Sequence, residues 1–283
     1  MKTKMKLLGT CVLSVLTLTA ILFSCKKTEQ KINNATDIPS AVSLTASASV
    51  SQAAYDDVFG VVMQEGETHK ISGRYVPGYR LQSCATVTLS PADTTTFPKT
   101  MTIDFGSGCV SPDGVTRKGK LIVSLSGMIR NIGSILSVAF ENYYVNGFKV
   151  EGTYSIKNNT SNNVLSFITQ TVGGKVTYPD GTTYVTHTGT HTYTQTSGSA
   201  TPSFADDSWS VTGSGNTANS KGDILTVIIK TALLKNVICQ HITSGAEEFT
   251  YNNLKGTLDF GNGTCDDKAT LTIGNYSTEI TLP

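Results

Sequence analysis

The sequence predicts a mainly β fold: a large antiparallel β-meander of roughly 12 or more strands, built as a curved sheet or a sandwich, with one N-terminal amphipathic helix before it. Three observations carry this. Charged residues make up 15% of the 283 residues, against a usual share of about 25%. Thr, Ser, Asn and Gly fill the difference; they suit the outer faces and turns of antiparallel sheets, whereas long helices draw on Glu, Lys and Ala. After the helical stretch, apolar and polar residues alternate in run after run, with turn residues between the runs.

The chain opens with Lys2, Lys4 and Lys6, followed by an apolar stretch from Leu7 to Phe23. That pattern predicts a secretory signal over residues 1–24 rather than a membrane span, because a cleavage signature closes it. The closing residues Leu22-Phe23-Ser24-Cys25 resemble the bacterial lipobox. The resemblance implies lipid on the Cys25 thiol, cleavage before it and a membrane partner through the anchor. Several acyl chains on one cysteine hold a protein to a bilayer far better than one does. The body is then expected in an oxidising aqueous compartment. Residues 25–45 are polar and aperiodic and predict a flexible tether. No later apolar run is long enough to span a bilayer.

Residues 46–64 predict the helix. Val50, Ala53, Ala54, Val58, Val61 and Val62 recur at three-and-four spacing, with Asp56, Asp57 and Gln64 off that face and a stop expected at Gly60 to Gly66. Strand alternation follows. In KTMTIDFG, Met101, Ile103 and Phe105 share one face and Thr102 and Asp104 the other. GKLIVSLSG and SVAFENYYVNGFKVEGTYSI continue it, and Asn146-Gly147 predicts a type I′ hairpin. Further turns are expected at Ser111–Thr116 and Tyr178–Tyr184. DILTVIIKTALL, apolar on both faces for half its length, predicts a central strand covered on both sides.

One phrase occurs twice. TIDFGSGC (Thr102–Cys109) returns as TLDFGNGTC (Thr257–Cys265), and Cys84 precedes Cys109 by nearly the distance that Cys239 precedes Cys265. This predicts an internal repeat over about 84–127 and 239–282 within one domain, 46–283. Four cysteines allow three connectivities; equivalent halves should close equivalent loops, which selects Cys84–Cys109 and Cys239–Cys265. Each bridge would contribute ~3 kcal/mol in the chain-entropy model. Asp104 and Asp259, each before a Gly-x-Gly turn, are expected to bond their own turn backbone. A calcium site with Asp266 and Asp267 lacks the alternating acid ladder of a calcium loop. The Asp-Phe-Gly triplet stands without any accompanying kinase motif.

Other residues are weighed for chemistry. His187 and His191 fall on one face of a strand, ~13 Å apart at ~3.4 Å per residue, too far for one zinc. They are expected as half-exposed sheet histidines, and neither His241 nor a carboxylate or thiolate completes a metal set. Trp209 is expected in the core rather than as a sugar platform. Tyr143, Tyr144, Tyr154, Tyr178, Tyr184 and Tyr193 could line a face, which alternation alone leaves open. Glu247-Glu248 and Asp206-Asp207 point to opposite faces as pairs and are expected as loop or surface charge. No nucleophile elbow, metalloprotease helix, P-loop or dinucleotide fingerprint occurs. No catalytic residue, cofactor or metal is expected. With a net charge of +1 and no basic run past the signal, no nucleic-acid partner is expected.

Together SCKK, TIDFGSGCVSPDGVTRKGKLIV, FENYYVNGFKVEGT and the closing DFGNGTCDDKATLTI with YSTEITL resemble uncharacterised lipoproteins of Bacteroidetes-type bacteria, from about residue 45 to the end. The resemblance implies an outer-membrane or surface location and carries over no activity. Lys26 lacks the aspartate of an inner-membrane retention signal. The expected function is a lipid-anchored cell-envelope module, binding or structural and non-catalytic, for a glycan, a lipid or a protein partner. The alternative is an envelope-polymer hydrolase whose acidic residues come from distant strands. A deep cleft with two facing carboxylates favours the second, a shallow aromatic strip the first.

Overall fold

The computed structural model describes residues 37–74, 83–201 and 203–282. Cys25, the signal segment and the start of the tether lie outside the described residues. Among the described residues, the compact unit beginning at Asn34 holds one helix and one sheet. The helix is α1 (Asp37–Thr68). The strands are β1 (Thr86–Ser90), β2 (Lys99–Asp104), β3 (Cys109–Val110), β4 (Thr116–Leu125), β5 (Ile135–Val145), β6 (Phe148–Asn158) and β7 (Ser166–Thr177), then β8 (Tyr184–Ser197), β9 (Ser208–Asn219), β10 (Ile224–Asn236), β11 (Ser244–Tyr251), β12 (Leu254–Asn262), β13 (Lys268–Ile273) and β14 (Tyr276–Thr281). All pair antiparallel with their chain neighbours, except that the short β3 pairs with β4 off the main path and β2 pairs directly with β4. The expected meander is one open 14-stranded sheet rather than a sandwich.

The sheet curls. Every ladder from β4–β5 through β11–β12 carries a register shift, while β1–β2, β2–β4, β12–β13 and β13–β14 are regular. A bulge bends its strand and adds right-handed twist. At the β4–β5 bulge only a glycine fits: Gly119 has φ +80, and a Cβ there would stand 1.9 Å from Asn142 O. From β4 to β10 there are six strand steps, and at ~20–25° each the direction turns by ~120–150°. The start of β4 therefore meets the end of β10. Gln240, beyond β10, donates its amide hydrogen to the backbone carbonyl of Asp113, in the turn before β4.

α1 lies on the concave face against β6 to β10 and β12. It begins before the predicted residue 46. Residues 37–45, expected as tether, are its first turns, and Ala41, Leu44 and Thr45 are buried. Asp37 and Pro39 supply the start signal, since proline is tolerated in a first turn and an acid suits the helix N-terminus. The helix also runs through both glycines that were expected to stop it. Gly66 serves packing: a Cβ there would lie 2.1 Å from Ile129 Cδ1. The end comes at Lys70, with φ 61. Ile71 N–H bonds Gly66 O at 2.9 Å and Lys70 N–H bonds Glu67 O at 3.1 Å, the Schellman arrangement.

The hairpin at Asn146 (φ 47) and Gly147 (φ 83) has positive φ at both centres, as type I′ requires. The turns at Ser111–Thr116 and Tyr178–Tyr184 lie between β3 and β4 and between β7 and β8. β10 departs from expectation: Leu225, Val227 and Ile229 are buried, but Ile224 and Ile228 are exposed. Only its concave face is covered, because among the described residues no second layer packs outside the sheet. Among the described residues no helix is long and apolar enough to cross a membrane.

The duplicated phrase sits near both ends of the sheet, on β2 and β12. Ile103, Phe105, Leu258 and Phe260 are buried. Asp104 accepts Gly106 N–H and Asp259 accepts Gly261 N–H, each at 2.8 Å. The bridges are Cys84–Cys109 and Cys239–Cys265, closing 25 and 26 residues with Cα separations of 6.0 and 5.9 Å.

A charged cavity beside the helix

Phe59 is the centre of the aromatic core. Its ring stacks on Tyr193 at 4.3 Å, meets Trp209 edge-on at 5.4 Å and Phe167 at 5.9 Å. Trp209 is thus a core residue, as expected. Of the six tyrosines left open, Tyr143, Tyr154 and Tyr193 are buried on the concave face, while Tyr144, Tyr178 and Tyr184 are half-buried.

Beside this cluster the packing stops short. A cavity of about 250 Å³ lies between α1, the start of β4, the β5–β6 hairpin and the loop after β10. Val61, Val145, Phe148, Phe204, Trp209 and Val237 give it apolar walls, and Asp56, Asp57, Arg117, Tyr193 and Lys235 stand among them. A smaller cavity of about 30 Å³ continues along the helix and is lined by Gln52, His241, Phe260 and Leu282. Ala53, Asp56, Lys235 and Gln240 line both.

Arg117 fastens the helix to β4. Its Nε donates to the two Asp57 oxygens at 3.0 and 3.2 Å, and its Nη2 donates to Asp57 Oδ1 as well. Its Nη1 and Nη2 reach the two Asp113 oxygens at 3.2 and 2.7 Å. Tyr143 adds a 2.8 Å hydrogen bond to Asp57. Burial opposes the guanidinium charge, but Asp57 and Asp113 prevail and hold its pKa above the ordinary value. Fork-shaped pairing of this kind is the strong form of the interaction.

Asp56, expected on the solvent side, is buried. The sheet wraps α1 so widely that the helix has almost no wet face near its middle. The Tyr193 hydroxyl donates to Asp56; burial nevertheless pushes the carboxyl up to about 6. Lys235 donates to Cys239 O at 2.9 Å and Gln240 O at 2.5 Å. Burial lowers its pKa, opposed by Asp56, Asp57 and Asp113.

The acidic pairs expected as surface charge divide. Glu248 and Asp206 face outward, but Glu247 and Asp207 are buried. Burial, then the charge of Asp56, pushes Glu247 up to about 8, and its Oε1 has no hydrogen-bond partner among the described residues. Asp207 belongs to a second cluster at the end of α1. There Arg74 contacts Glu67 at 2.7 Å and Asp207 at 3.4 Å, and Arg130 contacts Glu67 at 2.6 Å and Asp207 at 3.7 Å. Two acids and two guanidinium groups close on one another and tie the helix end to the β4–β5 and β8–β9 loops.

His187 and His191 share a face of β8 as expected, but they are buried rather than half-exposed. Their rings lean together over Gly189, where a Cβ would stand 3.0 Å from His187 Nε2 and 3.1 Å from His191 Cε1. The ring edges are therefore far closer than the Cα spacing implies. His187 stacks on Tyr55 at 5.6 Å and its Nδ1 meets Thr217 Oγ1 at 3.1 Å. Burial lowers His187 to about 3 and His191 to about 4, so both are neutral at pH 7. Among the described residues no group of three or more His, Cys, Asp or Glu is arranged to hold a metal ion.

The sequence reading misses Asp56, Asp57, Arg117, Lys235 and Glu247 as one neighbourhood. A signal existed: Asp56-Asp57 interrupts an apolar helix, and Lys235 falls in phase with the buried Leu233. Neither says which strand faces the helix. No family model matches the chain, and no curated protein or solved structure is significantly similar to it.

Proposed function

We propose that the chain is a lipid-anchored cell-envelope protein of the outer membrane, facing the periplasm or the surface, which binds a small, largely apolar molecule beside α1 without transforming it. The cavity carries the binding reading. Binding sites are concave and mostly apolar with a few polar groups, and about 250 Å³ is room for ~8 water-sized groups. Gly60 lines this space, and a Cβ there would meet nothing within 4 Å. Of the three expected ligand classes, the apolar walls favour a lipid-like molecule over a glycan or a protein segment. Replacing Gly60 with Leu supports a helix better than glycine does and fills the space. The variant should keep or raise thermal stability and lose ligand in native mass spectrometry. Equal retention of ligand by Gly60→Leu would sink the proposal.

The anchor rests on the basic start, the apolar stretch, the lipobox-like Leu22 to Cys25 and the resemblance to Bacteroidetes-type lipoproteins. Cys25→Ala is expected to leave the membrane fraction and take up no labelled fatty acid; continued membrane retention would count against the anchor.

One observation favours the hydrolase alternative. Asp56 on α1 and Glu247 on β11 have their pKa values pushed up to about 6 and about 8, giving an ionised and a protonated carboxyl at neutral pH, the division that acid–base catalysis uses. Glu247 lines neither cavity, which keeps this reading second. Hydrolysis of an envelope polymer that disappears in Glu247→Gln would promote it.

A further inference from the structure

We propose that the cavity selects a single-tailed amphiphile with an uncharged hydroxyl head, seated between Asp56 and Lys235. The inference rests on the cavity being a binding site. Asp56 and Lys235 come from opposite sides, helix and strand, and both line the larger and the smaller cavity. A head group at that junction meets one of each sign.

The other charges nearby are committed. Arg117 spends its hydrogens on Asp57 and Asp113. Two carboxylates and one guanidinium leave that triad one negative charge in surplus. Asp56 accepts from Tyr193 alone among the described residues. Lys235 uses two of its three hydrogens on Cys239 O and Gln240 O. The two residues therefore offer free acceptor sites on Asp56 and one free donor hydrogen on Lys235. A hydroxyl has one hydrogen to give and two lone pairs to receive with, so it answers both. A carboxylate would pair with Lys235 but face Asp56 and the surplus charge of the triad. An ammonium would pair with Asp56 but face Lys235. Asp56 is buried and Lys235 half-buried, so these repulsions are stronger than in open water, and leaving a buried charge unpaired is costly. Burial already moves both residues toward neutrality, Asp56 upward and Lys235 downward. Val61, Phe148, Phe204 and Val237 then enclose the tail, whose length is limited to ~8 groups of water size.

The test is isothermal calorimetry at pH 7.5 on the compact unit beginning at Asn34, which carries the whole described core. The probes are 1-octanol, octanoate and octylammonium. Octanol is expected to bind at least about tenfold more tightly than either ion, with octanoate weakest. Asp56→Asn keeps an acceptor for Tyr193 and removes the negative charge; it should strengthen octanoate by about tenfold or more. Lys235→Met, or Lys235→Gln if the first variant folds poorly, should do the same for octylammonium. An ion that binds the unaltered protein as tightly as octanol, or variants that leave the order of the ions unchanged, would overturn the selection while leaving the cavity a binding site. Failure of all three probes to bind would remove both readings.

Discussion

Glu247 and Asp56 keep their protons to unusually high pH because the concave face offers their charges little water. Between pH 4.5 and about 8 the folded chain holds a proton on Glu247 that the unfolded chain has released, so stability falls as pH rises through that window. Asp56 acts alike between 3.8 and about 6. His187 and His191 act in reverse: below 6.5 the unfolded chain takes protons that the folded chain refuses down to about 3 and about 4, so their contribution is lost as pH falls. The two trends oppose each other at mildly acid pH, and from 6.5 to 8 Glu247 acts almost alone. Stability should drop by on the order of 2 kcal/mol across that interval, and Glu247→Gln should flatten the drop. Urea midpoints measured from pH 5 to 8.5 check this; an unchanged slope in the variant would show that Glu247 is ionised throughout. Asp104 and Asp259 are legible in the sequence because each bonds a backbone two residues away. Asp56 and Glu247 are not, since their burial depends on chain some 190 residues distant.

Among the elements, α1 is held less by its own sequence than by what it touches. Arg117 and Asp57 have side chains only 5% and 12% exposed, so removing one member strands the other in poor solvent. Asp57→Asn should cost ~3 kcal/mol. The double replacement Asp57→Leu with Arg117→Met should cost less than the two single changes added together, as a double-mutant cycle reads directly; simple additivity would mean that the pair does not interact. Hairpins are readable because a turn such as Asn146-Gly147 is decided by two residues. The helix boundaries are harder: Gly66 looks like a stop until Ile129, 63 residues later, is seen to need the space. β10 misleads for a related reason, since Ile224 and Ile228 read as buried and are not.

At the scale of the molecule, strand succession is legible and curl is not. Alternation gives Met101, Ile103 and Phe105 their common face, but the bulges that bend eight successive ladders depend on positions such as Gly119, whose need appears only when Asn142 stands opposite. The two bridges illustrate how place decides consequence. Replacing both cysteines of either pair with serine should lower stability by ~3 kcal/mol. Cys239 also lines the larger cavity, so loss of Cys239–Cys265 should weaken octanol binding as well, whereas loss of Cys84–Cys109 should leave it intact. Equal effects on binding would mean that the loop after β10 is held by other contacts. The succession of strands also sets an order of events in time. Nearly every ladder joins chain neighbours, so the sheet can zip up hairpin by hairpin with small closure costs. α1 is synthesised before all of them, yet its partners reach from β6 to β12. The first of the described elements to be made is therefore the last to find its place, and its apolar side chains wait uncovered until the trough exists. In refolding, strand circular dichroism should recover before the last change in the fluorescence of Trp209, the one tryptophan, which packs against Phe167 of the sheet and against Phe59 of the helix.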